Sequence, residues 1–370
     1  MTKRQRLFFI TTLFVLFLVS PLPSFAQRPD ALPPQEETLE AVVSEVLKEE
    51  TVVFEDQSQT LQQLELLVTR GSLKGRTIQI DGVNVQTVNA QKYVIGDKVL
   101  VTYTQTPDGE QFFFITDFIR RKELITLFLI FAALVVIVGG LNGATSLVGM
   151  ALSFIVIFLF ILPRIIAGDN PVIITLIGSA IIAPVTFYIS HGWNKKTHIA
   201  ITATLITLLL TGILATIVIS MMRLSGFSTE EAGFLQNEAR GLLNMKGILL
   251  AGIIISVLGI LDDVTVTQAS IVEQVKQANP KAQMHNLFTH AMKVGRDHIA
   301  SLVNTLILVY TGASLPLLLL FIDNPHPFGE VINYEFLAEE IARTLIGSIG
   351  LVLAVPISTY IASIVFSRKK

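Results

Sequence analysis

Two adjacent carboxylates, Asp262 and Asp263, stand in the string Gly259-Ile-Leu-Asp-Asp-Val-Thr-Val-Thr-Gln268 directly after an apolar run. Oxygen ligands this close can coordinate a hard cation, or hold one proton between them because each charge disfavours the other. Some thirty residues on, Gly295-Arg-Asp-His-Ile-Ala-Ser-Leu-Val-Asn-Thr305 leads into a second apolar run. On a continuous helix Asp297, Ser301, Asn304 and Thr305 fall at spacings of three and four, a polar stripe that can line an ion or proton path. Charge at mid-membrane costs roughly 2.5–3.5 kcal/mol on insertion scales, so residues placed there need a reason. Asp262, Asp263, Gln268, Arg296, Asp297, Ser301, Asn304 and Thr305 together form the candidate ion- or substrate-binding set.

Each feature has a structural alternative. Asp263, or Thr265 in a Thr265-Val-Thr-Gln268 capping box, can start a helix over Val266 to Ala278. The stripe can serve interhelical hydrogen bonding, with Arg296 paired to Asp262 or Asp263; on either reading Arg296 beside the acids is the preferred contact. Asn279-Pro280 reads as a cap and first-turn proline for a next helix, whose Met284, Leu287, Phe288, Ala291 and Met292 form one amphipathic stripe. His285 and His290 stand five apart, a poor spacing for shared metal ligation, and the sequence assigns no metal and calls for no cofactor. It holds no nucleophile triad, phosphate loop or zinc helix, and adjacent aspartates on one segment cannot face each other across a bound peptide. An enzyme is not expected.

The elements that must position these groups are membrane helices. Half the residues are hydrophobic and only 15% are charged, well below a soluble domain, with a mean hydropathy of +0.63. Apolar spans fall near 124–141, 145–166, 171–190, 198–222, 246–261, 301–322 and 341–366, about seven crossings, with a cytoplasmic loop over 262–300. Lys195-Lys196 and the 367–370 tail with Arg368-Lys369-Lys370 mark the inner side. The loop with Asp323, Glu330, Glu335, Glu339 and Glu340 has no base and falls outside. Arg120-Arg121-Lys122 is the exception, a basic cluster on the expected outer side.

Ahead of the bundle, residues 1–26 combine Lys3, Arg4 and Arg6, an apolar run and Ser24-Phe-Ala26, the pattern of a signal peptide or, failing cleavage, an anchor helix. Residues 27–37 read as a Pro-rich linker. Over 38–120 the period becomes two, with strands at 61–69, 76–80, 98–104 and 111–116 and turn chemistry at Gly71 to Gly75, Gly96-Asp97 and Asp108-Gly109. This predicts a small extracytoplasmic β-barrel-like domain, OB or SH3-like. Residues 27–120 carry 15 acidic against 8 basic side chains, so nucleic acid is not an expected partner. The chain has no cysteine, which excludes disulfides and thiolate chemistry.

The strings at 259–268 and 295–305, with Tyr310-Thr-Gly-Ala-Ser-Leu-Pro316, resemble the signature of the YibE/F-like family of bacterial multipass membrane proteins over about residues 125–365. The resemblance implies an integral protein of the bacterial cell membrane and no particular activity. Two functions follow from the residues. One is a secondary transporter or ion-conducting protein for an ion or small solute, built on the acid pair and the Arg/Asp/Asn stripe. The other is a non-transporting envelope assembly or sensing protein that binds a partner through residues 38–118, with the bundle as its anchor in the lipid bilayer.

Overall fold

A computed structural model of the chain describes residues 36–54, 57–80, 92–106, 109–238, 243–322 and 327–368. The expected signal segment, nearly all of the linker and the last two residues of the tail lie outside the described residues. The chain divides into two compact units, Phe25–Ala133 and one that takes Leu134–Lys370.

In the first unit, β1 (Glu36–Phe54), β2 (Gln57–Arg70), β3 (Thr77–Ile80), β4 (Lys98–Gln105) and β5 (Gln111–Phe118) form an antiparallel sheet in the order β3-β2-β1-β4-β5. The central strand β1 was not foreseen; its alternation of Leu39, Ala41 and Val43 with polar neighbours is masked by glutamates. Those three residues and Leu64, Leu66, Val99 and Val101 are buried together on one face. Register shifts after Glu40, Val43 and Val46 bend β1, so its first half pairs with β4 while β2 runs along most of its length.

Acids on β1 and β5 hold basic residues of this unit. Arg121 and Arg70 each reach Glu40 at 3.2 Å, and Arg120 pairs with Asp117 at 2.6 Å. The basic cluster that opposed the expected topology is thereby partly neutralised. The Arg121 guanidinium holds Glu40 below the usual carboxylate range, Arg120 does the same for Asp117, and the Ser72 hydroxyl does so for Glu37. A lowered folded value means the unfolded chain binds more protons, so this stability is present above the ordinary carboxylate range and is lost as pH falls through the lowered values. Melting of the sheet in the full-length protein should therefore hold steady from pH 7 to 5 and drop below about pH 4. Glu40→Gln should flatten part of that drop, and a sheet that melts higher at pH 3 than at pH 7 would refute the assignment.

The second unit is helical. α1 (Arg121–Val156) crosses into it and is broken at Gly140, whose φ of 58° and ψ of −138° only glycine adopts readily. The break brings Gly143 so close to Val135 that a Cβ there would lie 2.2 Å from the Val135 carbonyl oxygen. A π-helical turn, Ile157–Ile161, continues into α2 (Leu162–Ile166). There follow α3 (Pro171–His191), α4 (Lys195–Met221), α5 (Glu230–Glu238), α6 (Met245–Ala278), α7 (Met284–Ala313), α8 (Leu315–Ile322), α9 (Phe328–Val331) and α10 (Glu335–Ser367). Asparagines start three of the long helices, Asn170, Asn194 and Asn244 each accepting first-turn N–H groups. Five helical runs among the described residues are long and apolar enough to cross a membrane: 121–166 counted as one, α3, α4, α6 and α10. This is a membrane protein.

Two expectations are overturned. α6 does not stop at Leu261; it runs unbroken through Asp262 and Asp263 to Ala278, so neither Asp263 nor Thr265 caps anything. The reason is the buried face, which continues as Leu261, Val264, Thr265, Gln268, Ala269 and Val272 at helical spacing and outweighs two charges. Asn279 closes α6 instead of opening the next helix, which begins at Met284. Within the bundle α4, α6 and α10 pack on one another pairwise, α3 packs on α6 and α4, and α7 lies on α10 and α6.

Candidate functional site

The helices at the centre of the bundle share an aliphatic core and also bury hydroxyls. α4 buries Thr197, Thr204, Thr207 and Thr211, α6 buries Thr265 and Gln268, and α10 buries Ser348, Ser358, Thr359 and Ser363. α3 adds Thr175 and Ser179, both fully buried. Gly350 makes the approach possible, since a Cβ there would stand 2.9 Å from Thr211 Oγ1 and 3.3 Å from Val257. Two contacts tie helix to helix: Thr204 Oγ1 and Thr265 Oγ1 share a hydrogen bond at 2.9 Å, and the Thr359 hydroxyl donates to Gln268 Oε1 at 3.0 Å.

Four of the other hydroxyls, those of Thr211, Ser348, Ser358 and Ser363, turn back on the carbonyl one turn earlier, as serine and threonine do in membrane helices. In this seam Thr175 Oγ1, Ser179 Oγ, Thr207 Oγ1 and Gln268 Nε2 have no hydrogen-bond partner among the described residues. An unsatisfied buried donor or acceptor costs about 1–3 kcal/mol, so this seam carries an unmet demand for hydrogen bonds.

Two carboxyls stand by the seam. Asp262 is half-buried on the α6 face shared with Leu258, Thr265 and Ala269, and it makes no ion pair among the described residues. Asp263 is exposed, and its charge reaches His191 at the end of α3, as does that of Lys196. The second carboxyl is Glu339 of α10, only 4% exposed. Its Oε2 accepts from the Ser228 hydroxyl while Oε1 has no partner, and Glu335, one turn earlier, accepts the Ser225 and Gly226 N–H groups. Arg343, one turn later, binds Glu340 at 3.0 Å and leaves its buried Nε unpaired.

The sequence-derived set is therefore split. Gln268 is fully buried and belongs to the seam, lying against Gly295 and Thr359. Asp262 borders it. Arg296, Asp297, Ser301, Asn304 and Thr305 are all exposed on α7, and Arg296 forms no ion pair with Asp262 or Asp263. The preferred Arg296 contact is thus corrected: the stripe Leu287, Ala291 and Gly295 docks α7, and residues 296–297 turn away from it. Sequence reasoning missed the threonines and Glu339. Their signals were present, in the seven-residue spacing of Thr197, Thr204 and Thr211 and in Glu335, Glu339 and Arg343 at i, i+4 and i+8.

A family model described as YibE/F-like protein matches residues 127–368, the part of the chain that forms the bundle. No curated protein and no solved structure matches.

Proposed function

The chain belongs to the YibE/F-like family, and on that footing we propose that it is a multipass protein of the bacterial cell membrane that moves protons or small cations along the hydroxyl seam. Seven crossings follow when the run broken at Gly140 counts twice and α7 is added to α3, α4, α6 and α10. Gly247 packs on the Pro171 ring, and Ser225 meets Glu335, so the starts of α3, α6 and α10 share one end with the close of α4. That is the alternation expected if residues 27–120 and Glu339 face outward and the C-terminus faces the cytoplasm. On this reading the antiparallel sheet, bent at the register shifts of β1, serves as the outer domain.

The observation that carries this reading is the pairing of orphaned buried polar atoms with carboxyls at two levels of the seam. From Glu339 to Thr359 is about 30 Å by helical rise, the thickness of a hydrocarbon core. Asp262, a carboxyl that makes no ion pair among the described residues, has one economical chemistry in such a place, which is to take up a proton or a cation and release it. Purified protein in liposomes containing a pH dye and a sodium or potassium indicator should relax an imposed gradient faster than protein-free vesicles. Equal rates for protons and all these cations would end the proposal.

A second role is favoured by Phe112 and Phe114, 41% and 59% exposed on the edge strand β5. Such an edge can dock an envelope partner, and deletion of residues 38–118 would then abolish function in cells while liposome flux persisted.

A further inference from the structure

We propose that a second copy of this chain packs against the outer face of α7, closing a two-fold dimer whose axis runs along the membrane normal. α7 buries only Leu287, Ala291 and Gly295, which seat it on α10 and α6, while Leu302, Val303 and Leu306 continue that inward side. The opposite side presents Arg296, Asp297, Ser301, Asn304, Thr305 and Leu308 to the outside. Asn304 lies nine residues beyond Gly295, about 13 Å further along the helix and among Val303, Leu306, Ile307 and Leu308. Its amide makes no hydrogen bond among the described residues. Lipid tails offer an amide nothing, and an unpaired polar group in hydrocarbon costs several kcal/mol, so this face calls for a polar partner at membrane depth.

Charge and hydrogen-bonding complementarity identify that partner. The face carries a base and an acid side by side, Arg296 and Asp297, and neither has an ion pair within the chain among the described residues. With both signs present, an anionic headgroup has no preference for it. Placed across a two-fold, the same face offers Arg296 to Asp297 of its partner and the converse. An asparagine amide holds two donors and an acceptor, so it pairs with its own symmetry mate, a recurrent glue between membrane helices. The proposal is independent of transport along the seam.

The chain's lack of cysteine makes the test free of background. In native membranes under mild oxidation, Ser301→Cys and Leu308→Cys should each give a disulfide-linked homodimer. Leu302→Cys, which faces the bundle, and Leu209→Cys, which faces outward from α4, should stay monomeric. Adding Asn304→Leu to Ser301→Cys should cut the linked fraction at least threefold, and Asn304→Gln should restore it. Linking at Ser301→Cys no greater than at Leu209→Cys, or linking only to a protein of another mass, would overturn the proposal without reliance on the Asn304 variants.

Discussion

Asp262→Asn should lower cation or proton flux at least tenfold while leaving the protein folded in the membrane. Asparagine matches the carboxyl in size and keeps α6 helical, but it neither exchanges a proton nor neutralises a bound cation. At an effective dielectric of about 20 and 4 Å, one ionic contact is worth about 4 kcal/mol, so a tenfold loss, about 1.4 kcal/mol, is a conservative floor. Asp263→Asn should stay within twofold of the parent, because that side chain is exposed beside His191 and Lys196 instead of lying on the seam. Arg296→Ala should also leave flux unchanged, since the guanidinium touches neither acid. Wild-type flux in a folded Asp262→Asn protein would remove Asp262 from the proposed path.

These contrasts show what could and could not be read from the residues. Strands β2 to β5 were legible because alternation and turn glycines act locally, whereas β1 was hidden by its many glutamates. The continuity of α6 was legible in principle, for Leu261, Thr265, Gln268 and Val272 keep one helical face across the acid pair. Two adjacent charges mask that face, although a stripe of four apolar or hydroxyl residues contributes more than the charges cost near a membrane boundary. The rotation of α7 was also implicit. Leu287, Ala291 and Gly295 fix which side docks, and Asp297, Ser301 and Asn304 fall on the other. What no single segment carries is the meeting of Thr204 with Thr265, or of Glu339 with Ser228, separated by 61 and 111 positions. Threonine reads as a tolerable apolar residue in any one helix; only the packing of several helices turns it into a seam.

The loop that covers Glu339 is tightly constrained backbone, and Gly226→Ala is expected to damage it strongly. α4 ends with Arg223 in the left-handed region at φ 54°, and the Leu224 N–H returns to the Ile219 carbonyl at 3.1 Å, so the chain leaves the helix in a fixed direction. Gly226 follows at φ +82°, and a Cβ there would lie 2.6 Å from the Met245 carbonyl oxygen and 2.7 Å from its carbon. Both neighbours are backbone at the start of α6 and cannot swing away. The left-handed conformation alone costs an L-residue roughly 1–2 kcal/mol, and forcing atoms into a filled contact about 1–3 more, for a loss of about 2–5 kcal/mol. The shift would also pull the Ser225 and Gly226 N–H groups from Glu335 and the Ser228 hydroxyl from Glu339, so melting in detergent and flux should fall together. Gly233→Ala is the matched control: it sits inside α5 with nothing within 4 Å of the added carbon and should stabilise by about 0.5–1 kcal/mol. If Gly226→Ala melts with the parent, the loop does not press on Met245 and Glu339 loses its scaffold.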